Sequence, residues 1–317
     1  MFTPKQWLMI AGGGALSALL FVAPATGNFG GLLFAYFCQL PLFLIGLSMG
    51  TAAGAVATAI AGAGFAILGG LVGFFVFLVF FAVPVVLLVR QALLSRQNEP
   101  GDAEWYPAGL LTAWATCYGL CLLALACLWL GMSSEGLEES VQAYFSEVMN
   151  AVTHRMADGS DAQQANLIVS EGVVSILPGL VALSWLVVLV VNGALSQGLL
   201  TRFGVNLRPS PNFGTMELPG WLTVIAAVLL ISAIILPGAL GYFATNAALL
   251  VAVPFLLVGI AIAHVAAGRM SAGPLLLILF YFLLLMSKWL IVLVAFLGLI
   301  EQMAGIRQRL VHAGEED

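Results

Sequence analysis

The chain has 317 residues, of which 62% are hydrophobic and only 8% charged, and its formal net charge is −5. An average soluble domain carries about 25% charged residues, and a soluble core has no room for this much apolar side chain. With 10 basic residues against 15 acidic ones, there is no stripe to neutralise phosphates, so the composition argues against nucleic-acid binding.

Apolar runs recur along the chain, each long enough to cross roughly 30 Å of hydrocarbon as a helix. They lack the apolar/polar alternation of an outer-membrane strand, so helices are the expected spans. Runs at about 7–24, 31–48, 51–69, 71–94, 105–131, 173–200, 220–237, 241–266 and 273–299 predict an all-α, polytopic transmembrane bundle. Residues 1–317 form one integral membrane domain on this view. Nine spans put Arg307 and Arg309 on the non-cytoplasmic side, against the positive-inside rule, so eight is preferred, with the short segment expected between Gly31 and Leu94.

In chain order, Lys5 precedes an apolar stretch ending in small residues at Ala23 and Ala25, the outline of a signal peptide. The many spans that follow favour an uncleaved first helix. Ala11 and Ala15 form a small notch on it, and Gly50, Gly54, Thr58 and Gly62 form a smooth ridge on the third span. Such ridges let helices approach closely in lipid, either within the chain or against a partner subunit. Pro41, Pro84 and Pro254 interrupt spans and free carbonyls that neighbours must satisfy.

The polar stretch at about 133–171 is read as a non-cytoplasmic insert. Its Leu137, Val141, Tyr144, Phe145, Val148, Met149 and Val152 recur at helical spacing, predicting an amphipathic surface helix that lies in the interface or caps a cavity mouth. Arg202 to Gly220 holds three prolines and reads as an ordered connector without helix. With the N-terminus cytoplasmic, Lys5, Arg90, Arg96, Arg202, Arg208 and Arg269 all fall inside.

Polar groups in the spans are the candidate ligand-binding residues. Lys288 falls near the middle of the last run, where a charge is expensive unless it faces protein, water or a counter-ion; the alternative is that it snorkels to the interface. His264, Asn246, Asn192 and Gln39 suit a small polar ligand if they converge, and interhelical hydrogen bonding or packing if they do not. Cys38, Cys117, Cys121 and Cys127 lack metal-ligand spacing and read as packing residues, so no metal or cofactor is expected. Walker and HExxH motifs are missing, as are paired membrane-depth carboxylates. An enzyme is therefore not expected, and any energy source would come from a partner.

Four stretches resemble the YybS-like family of bacterial membrane proteins. They are Ala11-Gly-Gly-Gly-Ala15, Leu40-Pro-Leu-Phe-Leu-Ile-Gly46 running to Gly50, Arg202-Phe-Gly-Val-Asn-Leu-Arg-Pro209 with Leu218-Pro-Gly-Trp221, and Leu297-Gly-Leu-Ile-Glu301 leading to Arg307-Gln-Arg309. The family pattern has Asp where this chain has Glu301. That family is in turn distantly similar to the substrate-binding S components of energy-coupling-factor transporters. The likeness implies capture of a small molecule in a bacterial inner membrane and docking onto a membrane coupling subunit with an ATPase, with Ala11 and Ala15 standing where S components carry their small-residue motif. This chain departs from S components in its extra spans and polar insert. The rival expectation is a non-transporting accessory or scaffold for envelope assemblies.

Overall fold

The computed structural model describes residues 2–26, 29–99, 102–132, 136–156 and 175–305. Contacts divide the chain into two compact units, one of Met1–Tyr106, Ala143–Ser170 and Ser184–Ser210, the other of Pro107–Gln142, Glu171–Leu183 and Pro211–Asp317.

In the first unit, α1 (Pro4–Val22) opens on a capping box, in which Thr3 accepts from the Gln6 amide while the Gln6 side chain accepts from the Thr3 amide. Helices α2 (Phe29–Ala35), α3 (Leu40–Met49), α4 (Thr51–Phe77) and α5 (Val83–Ala92) follow, with a π-helical segment Leu78–Ala82 joining the last two. Gly50 (φ +96) and Gly70 (φ +69) reverse the chain, in conformations open to glycine because it has no Cβ. The reversals show in the contacts. A Cβ added to Gly54 would lie 2.9 Å from the Gly46 Cα and 4.0 Å from Val89, yet Gly54 and Val89 would stand roughly 50 Å apart on one straight helix. The Phe65 and Phe77 rings stack at 6.0 Å, and Phe21 joins them edge-on at 4.5 Å and 5.5 Å. Thr51–Ala92 is thus two antiparallel arms joined at Gly70, each about 30 Å long.

The unit also contains a small antiparallel hairpin, β1 (Ser95–Glu99) and β2 (Asp102–Trp105), the part of α7 (Leu137–Met156) from Ala143 onward, and the part of α8 (Leu177–Arg202) from Ser184 onward. The sequence gives no sign of the hairpin, because its strands are short and polar.

The second unit contains α6 (Ala108–Gly131), the start of α7 (Leu137–Met156), the first turns of α8, and α9 (Gly220–Ile235), α10 (Gly238–Ala267), α11 (Gly273–Met286) and α12 (Lys288–Ala304). Ala113, Leu222, Ala226, Val251, Phe255 and Val258 form one buried cluster. Leu123, Cys127, Leu137, Val141 and Ala247 form another. The expected amphipathic helix is α7, and its Leu137 and Val141 pack on this unit. Tyr144 is exposed, while the side chains of Val148, Met149 and Val152 and the insert beyond Met156 lie outside the described residues. The connector after Arg202 carries no α-helix, as expected, and has one 3-10 turn at Phe213–Thr215.

Among the described residues five helices are long and apolar enough to cross a membrane, or six if α11 and α12, bent by 115° at Ser287, make one span. The eight or nine of the sequence reading are not reached on that criterion. The 31–48 run is broken at 36–39 into two short helices, α9 has 16 residues, and Thr51–Ala92, although folded at Gly70, counts as one candidate span.

Candidate functional site

The break between α2 and α3 gathers polar groups inside the first unit. Pro41 has no amide to donate to the Phe37 carbonyl, which accepts from the Leu40 amide at 3.0 Å instead. The chain passes the break in 3-10-like turns, with Tyr36, Phe37 and Cys38 donating to Leu33, Phe34 and Ala35. The carbonyls released there are met from two other helices. Ser17 of α1 donates to the Cys38 carbonyl at 2.7 Å. Asn192 of α8 donates through Nδ2 to the Tyr36 carbonyl at 2.8 Å and to the Val188 carbonyl of its own helix at 2.8 Å. The Ser196 hydroxyl, 2.8 Å from the Asn192 carbonyl, also reaches the Leu40 carbonyl at 3.3 Å.

Gln39 closes this break as the N-cap residue of α3 and is 1% exposed, and Asn192 is equally buried. Among the described residues neither amide atom of Gln39 has a hydrogen-bond partner, and neither does Asn192 Oδ1. The two carbonyls held by Asn192 Nδ2 fix that amide's orientation and leave its oxygen as an acceptor. The orphan set is therefore two N–H donors and an acceptor from Gln39, plus one acceptor from Asn192. Leaving such groups buried and unpaired costs about 1–3 kcal/mol each. Charge is distant: α1, α2, α3 and α8 contain no carboxylate, and their basic residues Lys5 and Arg202 sit at the far ends of α1 and α8, on the order of 15 Å or more along the helix from Ser17 and Asn192.

The other sequence candidates belong to the second unit. Asn246 is fully used: its Oδ1 accepts from the Gly179 amide at 2.7 Å, and its Nδ2 donates to the carbonyls of Ser175 at 3.0 Å and Tyr242 at 2.9 Å. It thereby caps the first turn of α8, where helix amides lack internal acceptors. His264 Nδ1 lies 3.0 Å from the Ile260 carbonyl and Nε2 lies 3.5 Å from the Tyr281 hydroxyl, with Phe213 edge-on to the ring. It is a packed, hydrogen-bonded histidine. Lys288 does not sit in mid-helix. Ser287 breaks and caps the helix, Lys288 is the first residue of α12, and its side chain is exposed.

The small-residue positions separate as well. Gly50 is a turn and not part of a ridge, whereas Gly54 packs on Gly46 and Gly62 on Phe74. Ala11 and Ala15 are exposed; the close approach of α1 is made by Gly13 against Ile45 and by Gly14, where a Cβ would come within 2.5 Å of the Ala57 carbonyl.

Two contributors escaped the sequence reading. Ser17 and Ser196 are unremarkable singly, although Asn192 and Ser196 four residues apart on an apolar helix mark a polar face. Arg208, read as an orientation marker, is buried. Its guanidinium donates to the carbonyls of Ala92 at 3.0 Å and Tyr106 at 3.2 Å, and burial pushes its pKa down. This clamps the C-terminus of α5 to the base of the hairpin, where a cation also suits the helix dipole.

Among the described residues no group of three or more His, Cys, Asp or Glu could hold a metal ion. No curated protein and no solved structure matches the chain. The family described as predicted membrane protein (DUF2232) matches residues 15–301, and the chain belongs to it.

Proposed function

We propose that the protein binds a small neutral polar molecule at the α2–α3 break, in the manner of a transport-related S component and without catalysis. The observation that carries this is the Gln39 amide, buried with all its hydrogen-bonding capacity unused at the break where Asn192 donates to the Tyr36 carbonyl. Broken helices at membrane depth are a recurrent way of building transporter sites. A donor among the orphan atoms favours a neutral species that both gives and accepts hydrogen bonds, such as a hydroxyl or amide compound. A cation would satisfy the oxygens and leave Nε2 unpaired.

On the same proposal, the exposed Ala11 and Ala15 of α1 face a membrane coupling subunit with an ATPase, and the YybS-like and S-component likeness extends from sequence to role. The membrane is a bacterial inner membrane with the N-terminus cytoplasmic. Eight crossings follow if the two arms around Gly70 each cross and the pair bent at Ser287 does not, which puts Arg307 and Arg309 on the side of Arg269. A scaffold role is the rival, since the exposed small-residue face of α1 suits either kind of partner.

The test is extraction of small molecules from purified wild type and Gln39→Leu, read by mass spectrometry alongside thermal stability. A neutral polar compound carried by wild type and lost from a folded Gln39→Leu supports the site. If neither protein carries a compound and Gln39→Leu complements a knockout fully, the site is abandoned for the scaffold.

A further inference from the structure

The segment after α8 is a rigid, apolar ridge rather than a solvated connector. Gly204 (φ +67) ends the helix, with its amide donating to the Thr201 carbonyl at 3.1 Å and the Val205 amide to the Leu200 carbonyl at 3.0 Å. Beyond it, Leu207 donates to the Leu47 carbonyl at 3.3 Å. Gln197 and Asn206 both donate to the Arg208 carbonyl, at 2.9 Å and 2.7 Å, and the Thr201 and Ser210 hydroxyls lie 2.7 Å apart. This frame holds three large apolar side chains outward: Phe203 at 73% exposure, Val205 at 53% and Leu207 at 49%. A water-facing loop gains nothing from fixing three such groups in solvent.

We propose that Phe203, Val205 and Leu207 are seated in the lipid headgroup and upper acyl region, with the Arg202 guanidinium on phospholipid phosphates. Two observations choose the bilayer as occupant. Val191, Leu195 and Leu199 are exposed on the membrane-length helix α8, and each is four residues from the next, so Phe203 continues a face that already meets lipid. The segment from Arg202 to Arg208 contains no acidic residue, and Arg202 is exposed beside the apolar ridge. An aromatic and an arginine at the end of a span match the interfacial pattern of membrane proteins.

The experiment places nitroxide labels at Val205→Cys and, separately, Leu207→Cys in the full chain, with the four native cysteines replaced by Ala, in lipid nanodiscs. Leu195→Cys is the lipid reference and Ala103→Cys, exposed on β2, the aqueous one. Collision with oxygen and with a water-soluble nickel chelate is measured at each. The proposal expects oxygen-to-nickel ratios at 205 and 207 several-fold above that at 103 and approaching that at 195. Ratios equal to that at 103 would overturn it in favour of a solvated loop. Protection from both reagents would overturn it in favour of a protein partner or a second copy.

Discussion

The indole N–H of Trp185 donates to the Phe80 carbonyl at 2.7 Å, the carbonyl whose helical donor would be the amide that Pro84 lacks. Sequence alone marks Pro84 as a break, and the structure shows the π-helical turn at Leu78–Ala82 together with the group from α8 that answers it. Trp185→Phe should therefore lower stability by about 1 kcal/mol. In a Pro84→Ala background the restored amide competes for the same carbonyl, so the loss should shrink. Thermal melting of the four proteins in one detergent gives the coupling, and equal losses in both backgrounds would refute the pairing.

Fold-back at Gly70 makes a prediction about distance. Spin labels at Thr51→Cys and Gln91→Cys should report a separation under half the roughly 60 Å that a straight helix would give. Gly70→Ala, forced to φ +69, should lose about 1–3 kcal/mol, measured as a lowered melting temperature. A long label distance would mean one continuous helix.

What the sequence made legible follows from the range of the forces involved. Gly70 lies between the predicted runs 51–69 and 71–94 because a small residue without a side chain to bury interrupts an apolar stretch, and that interruption is the turn. Gln39 and Asn192 could be singled out because polar groups are rare in spans, but their meeting at one break depends on packing between α1, α3 and α8. Asn246 looked the same on paper, yet Ser175 and Gly179, distant in sequence, consume its amide entirely. Lys288 seemed deep only because the break at Ser287 has no proline or glycine to announce it.

Arg208 should tolerate no replacement. Ala removes both charge-assisted bonds, and Lys, with a compact ammonium in place of the fork, cannot hold the Ala92 and Tyr106 carbonyls in the same geometry. Arg208→Ala is expected to lose about 2–3 kcal/mol, and Arg208→Lys most of that. Melting curves beside Arg202→Lys, whose parent side chain is exposed, supply the comparison. If Arg208→Lys melts like wild type, the clamp contributes through charge alone.

The last prediction contrasts two kinds of glycine. On α12, a Cβ at Gly298 would run into the Phe255 carbonyl and stand 2.9 Å from the Gly259 amide, while Gly259 itself faces the Val294 carbonyl. Backbone meets backbone there, so neither side can yield by moving a rotamer. Even a methyl must push α10 and α12 apart, at about 1–3 kcal/mol or more. Gly12 on α1 and Gly198 on α8 are helical, and among the described residues nothing lies within 4 Å of an added Cβ. Alanine at either should raise stability by about 0.5–1 kcal/mol, because a glycine inside a helix loses more freedom on folding. Thermal melting of the four single variants orders them: Gly298→Ala and Gly259→Ala below wild type, Gly12→Ala and Gly198→Ala above it. Gly12 adds a second measurement, since it lies on the face that exposes Ala11 and Ala15. If that face docks a membrane partner, Gly12→Leu should melt normally yet recover less partner on co-purification, while Gly198→Leu recovers as much as wild type. Equal recovery from both would remove the α1 face from the list of interaction surfaces, and a Gly298→Ala protein as stable as Gly12→Ala would mean that α10 and α12 do not touch at these glycines.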